Sequence, residues 1–331
     1  MPTVLAGDIG GTKSLLAIAE GDGGELRIVE EARFASADYP GLAPIVREFM
    51  GGVKARVAVA CFGVPGAVIA GRCTTPNLPW VVTEAELAAE SGVASVHLIN
   101  DFAAAAVGAL VTPAERIATL QEGEEVAGAA KVVVGAGTGL GQAQLFWDGA
   151  VYRVNPTEGG HGGFAPVGEL QRELLAYLER THRPVSVERV VSGPGLARIY
   201  RFLVERGVST WPEVEHAMAV GDSGAVIASH AMARSDLACE QALDLFIAAY
   251  GSEAGSAALR CLATGGVYLA GGIAPKILPR LQDGAFMAAF RDKGRMSELM
   301  RRIPVRVVLD PAAGLLGAAL EACRMASAAH R

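Results

Sequence analysis

The sequence predicts an α/β protein of two domains built on one repeated plan, and three observations lead there. Residues 132–134 read as a buried strand, followed by a loop with glycines at Gly135, Gly137, Gly139 and Gly141 and a second strand that ends at the turn signal Asp148-Gly149. The N-terminus repeats that order: strand 4–7, the loop Asp8-Ile9-Gly10-Gly11-Thr12-Lys13, strand 15–19, and the turn formers Gly21-Asp22-Gly23-Gly24. Lastly, 331 residues that are 51% apolar and 19% charged suffice to bury two cores and argue against disorder. Glycines at this density let backbone N–H groups curl around an anion and let a phosphate approach the main chain. The duplicated hairpin therefore suggests two half-molecules closing on one nucleotide.

Bulk properties exclude several classes. The net charge is −6, and no Lys/Arg cluster is longer than Arg301-Arg302, which argues against nucleic acid and anionic membrane as partners. Cys61, Cys73, Cys239, Cys261 and Cys323 are odd in number and scattered, with no C-x-x-C, as expected of reduced thiols and not of a disulfide framework or zinc site. Met1-Pro2-Thr3 runs into a strand without a basic leader. The most apolar windows, 56–71 and 262–275, are broken by Gly, Pro or Arg and too short to span a bilayer. The expectation is a soluble cytoplasmic protein.

Along the chain, residues 25–34 form a third strand, and 40–50 have helical spacing through Leu42, Ile45, Val46 and Phe49. The apolar run 57–62 suits a central strand. Residues 74–80 are an irregular piece of turn formers around Trp80, and Thr83 to Glu86 make a capping box for a short helix. Residues 96–99 are a strand with Asn100-Asp101 at its carboxyl end, before an Ala-rich helix over 102–110. Ligands sit outside the carboxyl ends of strands in open α/β sheets. Asp101 is equally an N-cap for that helix, and position alone does not separate the two.

Residues 111–130 read as a polar connection, with the domain boundary near its start. A hairpin partner at 151–154 leads into Pro156-Thr157-Glu158-Gly159-Gly160-His161-Gly162-Gly163-Phe164. A carboxylate and an imidazole three apart among glycines look like ligand contacts, although a lone His more often satisfies a local hydrogen bond. Residues 168–265 are helical almost throughout. Glu188, beside a helix start, alone reads as a surface or capping charge. Residues 266–273 are a strand ending in Gly271-Gly272, with Pro275 opening a helix; 305–309 are a further strand, and 312–328 a closing helix with a small face at Gly314 and Gly317.

The glycine loops fit neither common nucleotide motif. Lys13 follows Thr12 and not Gly, so this is no P-loop, and Leu140 breaks G-x-G-x-x-G before a hairpin instead of a helix. Two hairpin loops with Thr hydroxyls could hold the β- and γ-phosphates, and the Gly271-Gly272 turn could leave room for an adenine ring. Asp8 beside such a phosphate would hold Mg²⁺, through water, because Mg²⁺ gives up its hydration reluctantly.

In this combination the chain resembles the bacterial glucokinases of the actin-like (hexokinase/heat-shock chaperone) ATPase superfamily. The residues that carry the resemblance are Gly7-Asp-Ile-Gly-Gly-Thr12, Leu98-Ile-Asn-Asp-Phe102, Gly135-Ala-Gly-Thr-Gly-Leu-Gly141, Glu158-Gly-Gly-His161 with Phe164-Ala-Pro166, Val190-Val-Ser-Gly-Pro-Gly-Leu196 and Ala270-Gly-Gly-Ile273. They span nearly the whole chain in family order. The resemblance implies a two-domain actin-like ATPase (ribonuclease H-like) fold with duplicated mixed sheets and flanking helices. It places a small domain at 1–110, joined by the C-terminal helix 311–331, and a large domain at 111–310 with a dimerisation surface. Domain closure would keep water from taking the phosphate.

It also implies ATP-dependent phosphorylation of glucose at the 6-hydroxyl, with mannose, fructose or an amino sugar as alternatives. A non-catalytic nucleotide-gated switch is the reading from another class, and it would leave Asp101 without a task. Asp101 would be the general base, and Asn100, Glu158, His161 and Glu188 would hold the other hydroxyls. Gly7, Asp8, Ile9, Gly10, Gly11, Thr12, Gly137, Thr138, Gly139, Gly271 and Gly272 would bind ATP, with Mg²⁺ at Asp8. A homodimer is expected, and no structural zinc. Two positions depart from the closest relatives: Lys13 stands where Asn is usual, and Gly163 where Asp is common.

Overall fold

The computed structural model describes residues 1–21, 26–76 and 78–328, which divide into two compact units. Residues 22–25, 77 and 329–331 lie outside the described residues. So do the turn formers Asp22-Gly23-Gly24, the first residue of the expected third strand, Asn77 of the irregular piece and the tail of the closing helix. Unit 1 comprises Met1–Arg116, Tyr152–Pro156 and Asp310–Arg331; unit 2 comprises Ile117–Val151 and Thr157–Leu309.

Unit 1 runs β1 (Thr3–Ile9), β2 (Lys13–Gly21), β3 (Leu26–Ala35), α1 (Leu42–Gly52), β4 (Val59–Val64), β5 (Val68–Ile69), β6 (Arg72–Thr74), β7 (Val81–Thr83), α2 (Glu84–Ser91), β8 (Val96–Asn100) and α3 (Asp101–Ala109). Its main sheet has the order β3-β2-β1-β4-β8, antiparallel among the first three strands and parallel across β1, β4 and β8. Side chains alternate across this sheet. Leu5, Ile9, Phe62 and Val64 join Ile45, Val46 and Phe49 of α1 on one face. Val4, Ala6, Ala17, Ala19, Val59 and Cys61 face the other way and pack with Ala104 of α3. Past Thr74 the described residues of the piece leading to Trp80 are irregular, as expected; the short strands β5, β6 and β7 flank it as a small sheet, and the buried Trp80 ring N–H donates to the Tyr39 carbonyl at 3.2 Å. Strands of two or three residues have too little alternation to be legible in sequence.

Unit 2 repeats the plan. It runs β9 (Ile117–Gln121), β10 (Lys131–Ala136) and β11 (Leu140–Trp147); β12 (Tyr152–Thr157) follows, most of it counted with unit 1. Then come α4 (Gly168–Leu178), α5 (Gly193–Glu205), α6 (Pro212–Val220), α7 (Ser223–Ala233), α8 (Leu237–Cys261), β13 (Gly266–Ala270), α9 (Leu278–Gln282), α10 (Ala285–Arg291), α11 (Ser297–Arg302) and β14 (Val305–Val308). The β10–β11 hairpin is antiparallel, and β10, β13 and β14 are parallel, as β1–β2 and β1, β4, β8 are in unit 1. At Asp148-Gly149 the hairpin turns as expected: Gly149 has φ +101°, and the Asp148 carboxylate accepts from the N–H groups of Ala150 and Val151 at 2.9 and 2.8 Å. The expected polar connection over 111–130 instead contains β9, antiparallel to β14. Only five residues long and partly exposed, β9 is held by cross-strand pairing that its own sequence does not announce.

The last helix, α12 (Ala313–Ala328), belongs to unit 1 and crosses α3 at backbone distance. A Cβ on Gly108 would lie 1.8 Å from the Ala313 carbonyl oxygen, and one on Gly317 would lie 1.8 Å from that of Ala104. No rotamer change relieves a clash with a main-chain carbonyl, so Gly317→Ala must push the helices apart. It should cost at least about 1–3 kcal/mol by chemical denaturation. Gly51→Ala, where a Cβ meets nothing within 4 Å in α1, should instead be neutral or stabilise by up to about 1 kcal/mol. Equal effects of the two would count against the crossing as the decisive contact.

Candidate active site

In unit 1 the first glycine loop is the tight connection between β1 and β2. The Gly10 N–H donates to the Lys13 carbonyl at 2.9 Å, which leaves Thr12 exposed at the tip. The loop is buttressed from beneath. The buried Ser36 hydroxyl donates to the Gly10 carbonyl at 2.7 Å and lies 3.0 Å from the buried Ser14 hydroxyl, while the Ser36 N–H donates to the Thr12 carbonyl at 3.2 Å. Neither serine was singled out from sequence. Gly7 is required by packing, since its Cβ would lie 2.5 Å from Phe62 Cδ1.

Asp8 sits on β1 against the start of α12, where a Cβ on Gly314 would fall 2.8 Å from the Asp8 carboxyl carbon. Burial raises the Asp8 carboxyl above its usual 3.8, and the Lys13 charge only partly offsets this. Among the described residues no group of three or more His, Cys, Asp or Glu could hold a metal ion. A single carboxylate short of compensating charge fits a cation held mainly by water and phosphate oxygens, the ligand set that Mg²⁺ accepts. Asp8 would hold such an ion, which would neutralise phosphate charge there.

Asn100 and Asp101 close β8 and open α3. Gly63 of β4 packs under the start of α3: a Cβ there would lie a tight 3.0 Å from Ala104 Cβ, and in ordinary contact with Asp101 Cα at 3.5 Å. The cap is Asn100 and not Asp101. Asn100 Oδ1 accepts from the N–H groups of Phe102 and Ala103 at 3.0 and 3.1 Å, and Nδ2 donates to the Gly66 carbonyl at 3.1 Å. Asn100 thus keeps one N–H for a ligand. Asp101 is the first helical residue, and its Oδ1 accepts from the Phe102 N–H at 2.7 Å.

In unit 2 the second glycine loop, Gly137-Thr138-Gly139, joins β10 to β11 with Thr138 exposed. The segment 158–164 lies along the start of β11: Cβ atoms on Gly159 and Gly160 would lie 2.3 Å from Gln142 Oε1 and 2.1 Å from the Leu140 carbonyl oxygen. Glu158 and His161 are both exposed, with the carboxylate 3.7 Å from the ring. The same segment is zipped to 185–187 by bonds from the Val187 N–H to the Gly162 carbonyl and from the Phe164 N–H to the Val185 carbonyl, both 2.9 Å. Glu188 follows directly, and its Oε2 accepts the Leu140 N–H at 2.9 Å. Its expected reading as a surface charge misses that bond, which joins residues 48 apart in sequence. Glu158, His161 and Glu188 therefore gather at the start of β11, beside the second glycine loop.

Gly271 needs its glycine: φ is +81°, and a Cβ would lie 2.6 Å from the Ala136 carbonyl oxygen. The neighbouring Gly272 lines a cleft of about 690 Å³ together with Gly137 and Thr138, so the structure joins three expected nucleotide residues in one cavity. The N-terminal turns of α5 and α7 also line it, capped by Ser192 and Asp222. Arg198, Arg201 and Lys276 supply positive charge. Sequence reasoning missed these residues; their only signal was the helix-start pattern at Ser192-Gly193-Pro194 and Asp222. Burial and the nearby Arg189 and Arg201 charges lower the Arg198 guanidinium from its ordinary value.

A family model described as Glucokinase matches residues 5–325. A glucokinase of Trichormus variabilis is 43% identical over 344 positions, covering 98% of this chain and 100% of the relative. This chain belongs to the glucokinase family. The crystal structure of a glucokinase from an Antarctic psychrotroph matches with a TM-score of 0.85 at 30% identity, covering 98% of this chain and 99% of that one. A ROK family glucokinase from Streptomyces griseus, in complex with glucose and AMPPNP, matches with a TM-score of 0.66 at 21% identity, covering 97% and 99%. The last match speaks for the fold alone. The architecture is the actin-like ATPase fold expected from the motifs, with its mixed sheet duplicated. At Gly163, where the resemblance led us to expect Asp, a Cβ would meet nothing within 4 Å.

Two outcomes follow from this geometry. Ser36→Ala removes the support under the Gly10 carbonyl and strands a buried hydroxyl on Ser14. Chemical denaturation should read a loss of about 1–3 kcal/mol, and no loss would mean that the buttress is dispensable. Gly163→Asp should leave the melting temperature where it was, because the site is open and its backbone is not left-handed. A marked drop would contradict the open setting.

Proposed function

We propose that this chain transfers the γ-phosphoryl group of ATP to the 6-hydroxyl of glucose, with Asp101 as general base. The observation that carries the reading is the division of residue types between hydrogen-bond duties. Asn100 is the N-cap of α3, and Asp101, the first helical residue, places a carboxylate at the same strand end while its Oδ1 accepts the Phe102 N–H. A carboxylate at a helix start beside the first glycine loop suits a base that must accept a hydroxyl proton.

In this reading the 6-oxygen attacks the γ-phosphorus, its proton passes to the Asp101 carboxylate, and the bond to the β-phosphate oxygen breaks to release ADP. Phosphoryl transfer asks little covalent chemistry of the protein; positioning and charge neutralisation carry most of it. Backbone N–H groups of Gly11, Thr12, Thr138 and Gly139 would supply part of that neutralisation, as would a Mg²⁺ at Asp8; those of Gly10 and Gly137 close their own loops. Asn100, Glu158, His161 and Glu188 hold the remaining hydroxyls through donors and acceptors of fixed direction. The 690 Å³ cleft, with Gly272 on its wall, takes the adenosine part. The expected homodimer, cytoplasmic location and two-domain arrangement belong to the same reading.

The deciding experiment is initial-rate phosphotransfer from Mg-ATP to glucose, mannose, fructose and glucosamine by the wild-type chain and Asp101→Asn. Glucose should dominate. The variant should lose about 10²–10⁴-fold in kcat, while calorimetry shows glucose affinity within a few-fold of wild type. Turnover close to wild type in Asp101→Asn would remove the base assignment, and a different preferred sugar would remove the glucose assignment.

A further inference from the structure

Residues 185–195 touch the 158–164 loop and the second glycine loop, and their last part lines the cleft. Their first part is zipped to the sugar loop by the Val187–Gly162 and Phe164–Val185 backbone bonds. In the middle, the Glu188 carboxylate accepts the Leu140 N–H at 2.9 Å at the exit of the second glycine loop. Towards the end, the Gly193 N–H donates to the Gly137 carbonyl at 2.8 Å on the entry side of that loop. The buried Ser192 ties these points together. Its hydroxyl donates to the Glu188 carbonyl at 2.7 Å and accepts the Gly195 N–H at 3.0 Å, which caps α5 where it lines the cleft.

From this arrangement we propose that Glu188 is a positioning residue as well as a sugar ligand: one carboxylate oxygen fixes the second glycine loop while the other receives a sugar hydroxyl. This rests on the reading of Glu188 as a hydroxyl ligand given above. Gly139 is part of the same device. A Cβ there would lie 2.5 Å from Glu188 Oε2, so only glycine lets the carboxylate reach the Leu140 N–H. The contact is short and has one acceptor for one main-chain donor. A sugar that draws Glu188 into a single rotamer therefore also fixes the loop that would grip the nucleotide's phosphates. Binding of either ligand then strengthens binding of the other by the same factor, since linkage is reciprocal.

The test is calorimetric titration of the full chain with AMPPNP and Mg²⁺, without glucose and at saturating glucose. Binding is measured without turnover, so the result does not depend on Asp101. In the wild-type chain glucose should tighten AMPPNP binding by roughly tenfold, within the usual range for coupled sites. Glu188→Gln, which weakens the acceptor, and Gly139→Ala, which pushes an intact carboxylate off the loop, should both bring that ratio close to one. His161→Ala serves as the control: it should weaken glucose binding yet keep the ratio once glucose is saturating. A ratio preserved in Glu188→Gln and Gly139→Ala overturns the link, as does an equal loss of the ratio in His161→Ala. A wild-type chain that binds glucose without any effect on AMPPNP overturns it too. A wild-type chain that binds no glucose at all fails the proposed function itself, a different readout from binding without coupling.

Discussion

Close packing at glycine is the constraint on which each of the two units depends. In unit 1 it is the crossing of α3 and α12, where Gly108 and Gly317 each face a carbonyl oxygen with no room for a methyl group. That crossing ties the C-terminal helix to the sheet formed by the first hundred residues. It also fixes α3 on a face lined by Ala6, Ala17 and Ala19, small enough for the helices to lie close. The direction of α3 sets where its first residue, Asp101, stands. In the sheet, Gly7 leaves room for the Phe62 and Leu16 side chains and Gly63 for the Ala104 methyl group of α3.

Unit 2 uses the same physical device with a different result. Gly159 and Gly160 let residues 158–164 lie directly on β11, and Gly139 lets a carboxylate from residue 188 reach the main chain of the hairpin. Loops are usually the mobile parts of a fold, with few bonds to spare. Here the second glycine loop is bonded at Gly137 and Leu140 to a single neighbouring segment, and that segment is bonded in turn to 162–164. The loop is thus held at Gly137 by a backbone bond, which has no rotamer to lose, and at Leu140 by one carboxylate oxygen.

The parts of this protein legible in its sequence are those that turn chemistry writes locally. The Gly10–Lys13 and Gly137–Gly139 hairpins, the Asp148-Gly149 turn and the Gly271 turn each need residues that few other conformations need. The continuous apolar run at 57–62 marked β4 as a central strand. What escaped notice depends on partners far along the chain. Residues 117–121 are a strand only because β14 offers an edge, and Ser36 buttresses a loop 26 residues before it. Asn100 displaced Asp101 as the cap because both are good caps and only three-dimensional geometry chooses between them. Arg198, Arg201 and Lys276 looked like ordinary helix-surface charges until the fold gathered them in one cleft.

The glycines themselves fall into two kinds, and the difference bears on where ligands go. Gly7, Gly108, Gly139, Gly160 and Gly317 are crowded: protein atoms already occupy the space a Cβ would take. Packing explains them without any ligand. Gly137, Gly163 and Gly272 are open, with nothing within 4 Å of an added Cβ and no left-handed backbone to require glycine. Neither packing nor conformation accounts for them, and a small residue at such a place costs backbone entropy for no structural return. Two of the three, Gly137 and Gly272, line the 690 Å³ cleft. The space they leave is the space an adenine nucleotide needs if its atoms are to lie against the main chain. Gly163 is outside that wall, in the loop of Glu158 and His161, and is open there too. Openness alone does not mark such a place, since Gly51 is equally open on α1; it is openness together with the wall of the cleft that sets Gly137 and Gly272 apart.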